Sequence, residues 1–296
     1  MSMKQTSNTT KPIYDQEVAK WFRELSFEQA QQVINDSGSG DRYKVQYRDW
    51  ILSSENNRIE GLHNFPHVFV TNAVTHSLEA FFMAYAHKRR IRTYRGEYTH
   101  IPKLIAKFEL PDVRLDAAPI DENDVVLMSC PFSAHGEKHF MMESVLDECD
   151  RLGVPVFVDM AYFGLCQGVN LDLNHTCIKH VAFSLSKAFS LEGVRIGIEF
   201  SRHPNHPLDV SHFRNYHSRL GTYVAMSLFS RFSPDFIFNK YRDKQVEICR
   251  GLKLTPSESV LFGTSHDRVW QAASKEIINR PCITPALQEW ENLQNG

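Results

Sequence analysis

Residues 184–197 read SLSKAFSLEGVRIG. The stretch takes over from an apolar run, IKHVAFSL at 178–185, whose unbroken apolar character marks a buried strand. Lys187 comes just after that strand, preceded by Ser184 and Ser186, and Arg195 opens a further apolar run, RIGIEF at 195–200. Two cations close together on a partly buried turn repel each other unless an anion lies between them. The stretch therefore predicts an anion site between two buried strands, and phosphate as the anion.

Working outward, VVLMS (125–129) and VPVFV (154–158) are further short apolar strands. Between them KHFMMESVLDECDRLG (138–153) is an amphipathic helix ended by glycine. HVFVTNAVTHSLEAFFMAYAHKRR (67–90) predicts a short strand at Val68–Val70, a polar turn at Thr71 and Asn72, and a helix from near Thr75 to about Lys88. The basic run HKRRIR reads as the C-terminal end of that helix, where cations suit the dipole. Apolar strands alternating with helices predict an α/β fold, a mainly parallel sheet with helices on both faces. Functional side chains gather at the carboxyl ends of such strands. The residues that follow the strands here are Thr75, Ser133, Asp159 and Lys187.

The flanks are helical. One helix is expected over 13–35, a turn at 36–41 (DSGSGD) and a second helix over 43–54. Two long helices, 212–232 and 234–252, precede a compact tail. This divides the chain into an N-terminal helical segment (1–54), a large α/β domain (55–235) and a small, reduced C-terminal domain (236–296) after a linking helix.

A net charge of −2 and a pI near 6.7 leave no electrostatic footprint for nucleic acid or an anionic membrane surface. No run approaches a membrane span. The opening stretch MSMKQTSNTTKP is polar, without the apolar core of a signal peptide, so a cytoplasmic protein is expected. The cysteines at 130, 149, 166, 177, 249 and 282 form no CxxC pair and read as reduced thiols. His135 and His139 in HGEKH could share a helix face, but no third metal ligand accompanies them, and no metal is expected.

Asp159, in VDMAYFG (158–164), ends a buried strand, where a carboxylate must find a partner. Tyr162 follows on the same rim. Pyridoxal 5′-phosphate uses such a set: a lysine for its Schiff base, an acid for its ring nitrogen, a donor for its ring oxygen and an anion site for its phosphate. The helix N-terminus at Ala73, Val74 and Thr75 is a ready phosphate seat. Arg195 can grip phosphate oxygens through two parallel hydrogen bonds.

SLSKAFSLEGVRIG resembles the lysine signature of the class I/II aminotransferases, within the fold type I family of pyridoxal-phosphate enzymes. VDMAYFG resembles that family's aspartate-x-alanine-tyrosine segment. The resemblance covers roughly 65–285, and the order of segments along the chain agrees with it. It implies catalytic roles for Lys187 as Schiff-base lysine and proton carrier, Asp159 as partner of the ring nitrogen, and Tyr162 as donor to the ring oxygen. It implies that Ser184, Arg195 and the turn 73–75 hold the phosphate. Tyr98, in YRGEYTHI, would stack on the ring, and Arg280, in RPCITPAL, would bind the substrate α-carboxylate.

Two features depart from the family. Ser133, in SCPFSAHG, stands where the family usually carries an asparagine touching the ring oxygen. No tyrosine clearly matches the one that a neighbouring subunit contributes to the phosphate site; Tyr43 is the nearest candidate. The resemblance implies a homodimer that exchanges an amino group between amino acids and keto acids. A lyase or cyclase outcome, by elimination or ring formation, is the alternative. A non-catalytic binding protein on the same scaffold is a third reading, against which the intact lysine, aspartate and arginine stand.

Overall fold

A computed structural model gives the fold, and the structure describes residues 6–87, 89–204, 206–213, 216–275 and 278–295. The strands are β1 (Arg58–Glu60), β2 (His67–Thr71), β3 (Arg90–Thr93), β4 (Val113–Arg114), β5 (Asp124–Ser129), β6 (Val156–Met160), β7 (Asn170–Asp172), β8 (Ile178–Ser184), β9 (Gly197–Ser201), β10 (Thr255–Pro256) and β11 (Gly263–Thr264). The helices are α1 (Gln16–Arg23), α2 (Phe27–Asn35), α3 (Ser39–Leu52), α4 (Ala73–Tyr85), α5 (His100–Lys107), α6 (Met142–Leu152), α7 (His206–Phe213), α8 (Arg219–Phe229), α9 (Phe236–Leu252) and α10 (Thr284–Asn295).

Seven strands form one mixed, mostly parallel sheet in the order β2-β9-β8-β6-β5-β3-β4. β4, β3, β5, β6 and β8 run parallel, while β9 is antiparallel to both β8 and β2. The reversal follows from the β8–β9 connection, 185–196, which contains only turns. Without a crossover helix the chain cannot return to the far edge and enter in parallel. Alternate residues serve opposite faces. Val125, Leu127, Phe157 and Ala182 pack under α4 and α5, while Val126, Met128, Val158, Val181 and Phe183 join the larger core on the other face.

Local chemistry overrides three expectations. The helix expected over 13–35 is two helices, because Ser26 caps α2, its side chain accepting from the Gln29 backbone N–H. The helix expected over 212–232 breaks likewise, with Ser218 accepting from Gly221 N at 3.0 Å to start α8. HKRRIR does not end a helix, because α4 stops at Tyr85 and Arg90–Thr93 is strand β3. Arg89, Arg90 and Arg92 have specific partners instead of a helix dipole. Arg92 is fully buried, 2.6 Å from Asp124 Oδ2, and donates to the carbonyls of Val113, Arg114, Ala118 and Pro119.

The six cysteines are free and buried. Among the described residues, no helix is long and apolar enough to cross a membrane.

Candidate functional site

The register brings one end of the sheet into line. Ser129 pairs with Asp159, Met160 with Phe183, Ser184 with Gly197, and Gly197 with Thr71. The carboxyl ends of β2, β5, β6 and β8 thus meet the start of β9 along one edge. The loops leaving that edge form a cleft. It is lined by Ala73, Val74, Thr75, Tyr98, Ser133, Asp159, Tyr162, Ser184, Lys187 and Arg195, together with Ser129, Pro131, Ala161, Ser186 and Glu192. Every residue expected to hold the cofactor therefore lines one cleft, although segments far apart in the chain supply them.

Lys187 sits on the turn after β8, shaped by Ser186 N donating to Ser184 Oγ at 3.1 Å and Phe189 N to the Leu185 carbonyl at 3.1 Å. The buried Ser186 hydroxyl has no partner among the described residues. Arg195 adopts the left-handed conformation, φ 56°, and its guanidinium donates to the Asn72 carbonyl at 3.0 Å. Among the described residues no carboxylate pairs with Arg195. Asn72 immediately precedes α4, whose N-terminus carries no side-chain cap, so its first N–H groups remain available to an anion. Gly197 is required where β9 passes this turn. A Cβ there would lie 2.9 Å from Ala73 Cα and 2.6 Å from the Phe183 carbonyl.

Asp159 is 4% exposed and accepts from Ala161 N at 2.8 Å. Burial raises its pKa to about 6, against that hydrogen bond. Tyr98 is raised by burial and by Asp159, while a hydrogen bond to Thr75 opposes the shift. The Ser133 backbone N–H donates to Ser129 Oγ at 3.0 Å. Tyr162 pairs its hydroxyl with Thr10 Oγ1 at 3.2 Å and meets the edge of Phe262.

Arg280 is not part of the cleft wall. It is 2% exposed behind it, stacked 3.9 Å above the Phe262 ring. It donates to the Ser133 carbonyl and, at 3.2 Å, to Thr10 Oγ1, the hydroxyl that also meets Tyr162. Its Nε has no partner among the described residues. Tyr43 is corrected by the structure. It is wholly buried in the chain's own core and donates to the Gly197 carbonyl at 2.8 Å, so it cannot reach a neighbour's site.

Sequence reasoning missed several residues. Ser186 and Glu192 lie inside the quoted stretch, and Ser129 ends the strand VVLMS, so their positions were readable. Glu97 gave only the signal of an acid beside Tyr98. It is 5% exposed and takes hydrogen bonds from both the backbone N–H and the hydroxyl of Ser129. Thr10 gave no signal at all. It belongs to an extended strap that pairs at Ser7 with Cys282 and ends at Tyr14, whose hydroxyl donates to Glu192 at 2.7 Å.

Residues 82–244 match the family described as aminotransferase class I and II. No curated protein sequence matches the chain. Among solved structures, an aminotransferase from Staphylococcus aureus covers 98% of this chain and 91% of its own at 11% identity, TM-score 0.67. A probable N-succinyldiaminopimelate aminotransferase from Thermus thermophilus covers 97% and 92% at 12% identity, TM-score 0.68. A pyridoxal-phosphate-bound C–S lyase from Staphylococcus hominis covers 97% and 88% at 10% identity, TM-score 0.68.

Proposed function

From the premise that the chain belongs to the class I and II aminotransferase family, we propose that it is a pyridoxal 5′-phosphate-dependent aminotransferase acting on an α-amino acid through Lys187. One observation carries the reading. A lysine, a buried carboxylate, a tyrosine, an arginine and an uncapped helix N-terminus converge on one cleft from three separate segments. The donor set suits the cofactor. Arg195, the N-terminus of α4 and the unpartnered Ser186 hydroxyl offer what a phosphate needs, and Asp159 offers what a protonated ring nitrogen needs.

The cofactor would supply an aldehyde that bonds Lys187 covalently, and a ring that takes up negative charge developing at the substrate α-carbon. The chain's own groups do the rest. Asp159, ionised, holds the proton on the ring nitrogen. Tyr162 and Ser133 would serve the ring oxygen, and Tyr98 would cover the ring. Lys187 Nζ would be the base that takes the substrate α-proton and the acid that returns it. Arg280 receives the substrate carboxylate, with Thr10 giving up its place between Arg280 and Tyr162. The same reading includes a homodimer and a division into N-terminal segment, large domain and small domain at about 54 and 235.

A lyase outcome is the second reading. It is favoured by Ser133, which leaves the cleft one donor poorer than an asparagine would, and by the C–S lyase whose fold matches as well as the aminotransferases do. The test loads purified protein with pyridoxal phosphate, adds single amino acids and measures the products. Pyridoxamine phosphate with one equivalent of keto acid is expected. Ammonia or thiol release without pyridoxamine phosphate would replace transamination by elimination, and no cofactor absorbance would sink both readings.

A further inference from the structure

Glu97 lies behind the cleft, and the reaction above makes no use of it. Its Oε1 accepts from Ser129 N at 2.8 Å and its Oε2 contacts Ser129 Oγ. The same Ser129 oxygen accepts from Ser133 N at 3.0 Å. Ser129 lines the cleft and pairs in register with Asp159, on a neighbouring strand. Side by side in a parallel sheet, Ser129 and Asp159 stand about 5 Å apart on one face.

We propose that Glu97 is a positioning residue whose protonation turns the Ser129 hydroxyl toward the cleft, as a second donor to the cofactor beside Ser133. The inference rests on the cofactor reading. With Glu97 ionised, the one hydroxyl hydrogen of Ser129 is spent on Oε2. With Glu97 protonated, the carboxylic O–H donates to Ser129 Oγ instead. That oxygen then accepts twice, from Glu97 and from Ser133 N, and its own hydrogen is released toward the cleft. No atom moves except the proton gained and the hydroxyl hydrogen turned. Ser129 thereby supplies the donor that Ser133, shorter than asparagine, lacks.

The surroundings favour the protonated form near neutrality. Burial, joined by the charge on Asp159, raises Glu97 to about 7, although the bonds from Ser129 and the Tyr98 backbone oppose it. The other titratable groups facing it carry no compensating charge. Burial raises the Tyr94 and Tyr98 phenols and pushes the Cys130 thiol up to about 12.

Two measurements on wild type, Glu97→Gln and Ser129→Ala test this. In cofactor-free protein carrying carboxyl-¹³C glutamate, wild type should show one carboxyl titrating near pH 7. That signal should vanish in Glu97→Gln and move to higher pH in Ser129→Ala, which loses the donor to the ionised form. In cofactor-loaded protein, the absorbance of the bound cofactor should step as Glu97 titrates. The step should be absent from Glu97→Gln, whose amide donates to Ser129 at every pH, and absent from Ser129→Ala. An unchanged step in either variant, or a Glu97 midpoint unmoved by Ser129→Ala, overturns the inference. If wild type gives no cofactor absorbance, the cofactor reading itself has failed, and the carboxyl titration reports separately on the Glu97–Ser129 coupling.

Discussion

Asp159→Asn should make the cofactor-free protein more stable while weakening its grip on the cofactor. Burial holds the Asp159 carboxyl near 6, against an ordinary 3.8. At about 1.4 kcal/mol per pH unit, keeping it ionised in the fold costs roughly 3 kcal/mol at pH 8. Because the folded value lies above the unfolded one, the favourable contribution of the neutral carboxyl is complete below about pH 4. It is lost as pH rises through about 6. At pH 5 the carboxyl is mostly protonated in the fold, and the same linkage leaves only about half of that cost. An asparagine, neutral at every pH, avoids both costs. Urea unfolding of cofactor-free wild type and variant at pH 8 and pH 5 measures the gap. The variant should be the more stable by about 3 kcal/mol at pH 8, with the gap narrowing by about half at pH 5. Cofactor affinity should change in the opposite sense, falling tenfold or more at pH 8 for want of the ring-nitrogen partner. A variant no more stable than wild type at pH 8, or a gap that fails to narrow on acidification, would refute the reasoning that a strained carboxylate waits for a cation.

Arg195→Ala should weaken pyridoxal phosphate binding by roughly ten- to a hundredfold, as expected for charge-assisted hydrogen bonds of about 1.5–3 kcal/mol. The affinity for pyridoxal, which lacks the phosphate, should hardly change, and equilibrium titration with both compounds separates the two cases. Lys187→Ala should abolish turnover while leaving the thermal unfolding of the cofactor-free protein near that of wild type, as scanning calorimetry will show. Asp124→Asn should destabilise the fold by about 3–5 kcal/mol in urea unfolding, because it strands the fully buried Arg92 charge.

The sheet and the cleft were largely legible because they rest on short-range signals. Apolar runs of strand length gave β5, β6 and β8, and the residues just beyond them gave Asp159 and Lys187. What could not be read depends on partners distant in sequence. The cations of HKRRIR looked like a helix end until Asp124 supplied a reason for a strand. Tyr43 looked available until its hydroxyl was found on the Gly197 carbonyl. Arg280 was named for its motif, yet its position behind the cleft depends on Thr10 and Phe262, which no local pattern links to it. Glu97 was passed over because one acid beside a tyrosine carries no periodicity. Its meaning comes from Ser129, delivered by β5.

The reversal of β9 explains how a lysine and an arginine so close in sequence come to line one cleft. Had β9 followed β8 in parallel, a crossover would have carried the chain to the opposite edge, and Arg195 would have entered the sheet far from Lys187. Antiparallel pairing makes the connection leave and re-enter at a single edge, so both cations stay there. It also lays β9 against β2, whose own carboxyl end opens onto α4. Arg195 then needs only a left-handed backbone turn to reach the Asn72 carbonyl at the start of that helix. The close pass of Gly197 against Ala73 belongs to the same geometry, since a side chain at 197 would force β9 away from the turn. Gly197→Val should therefore disturb the anion seat before it disturbs the rest of the sheet. Its expected signature is a larger loss of affinity for pyridoxal phosphate than for pyridoxal, and equal losses for both would place the damage in the sheet instead.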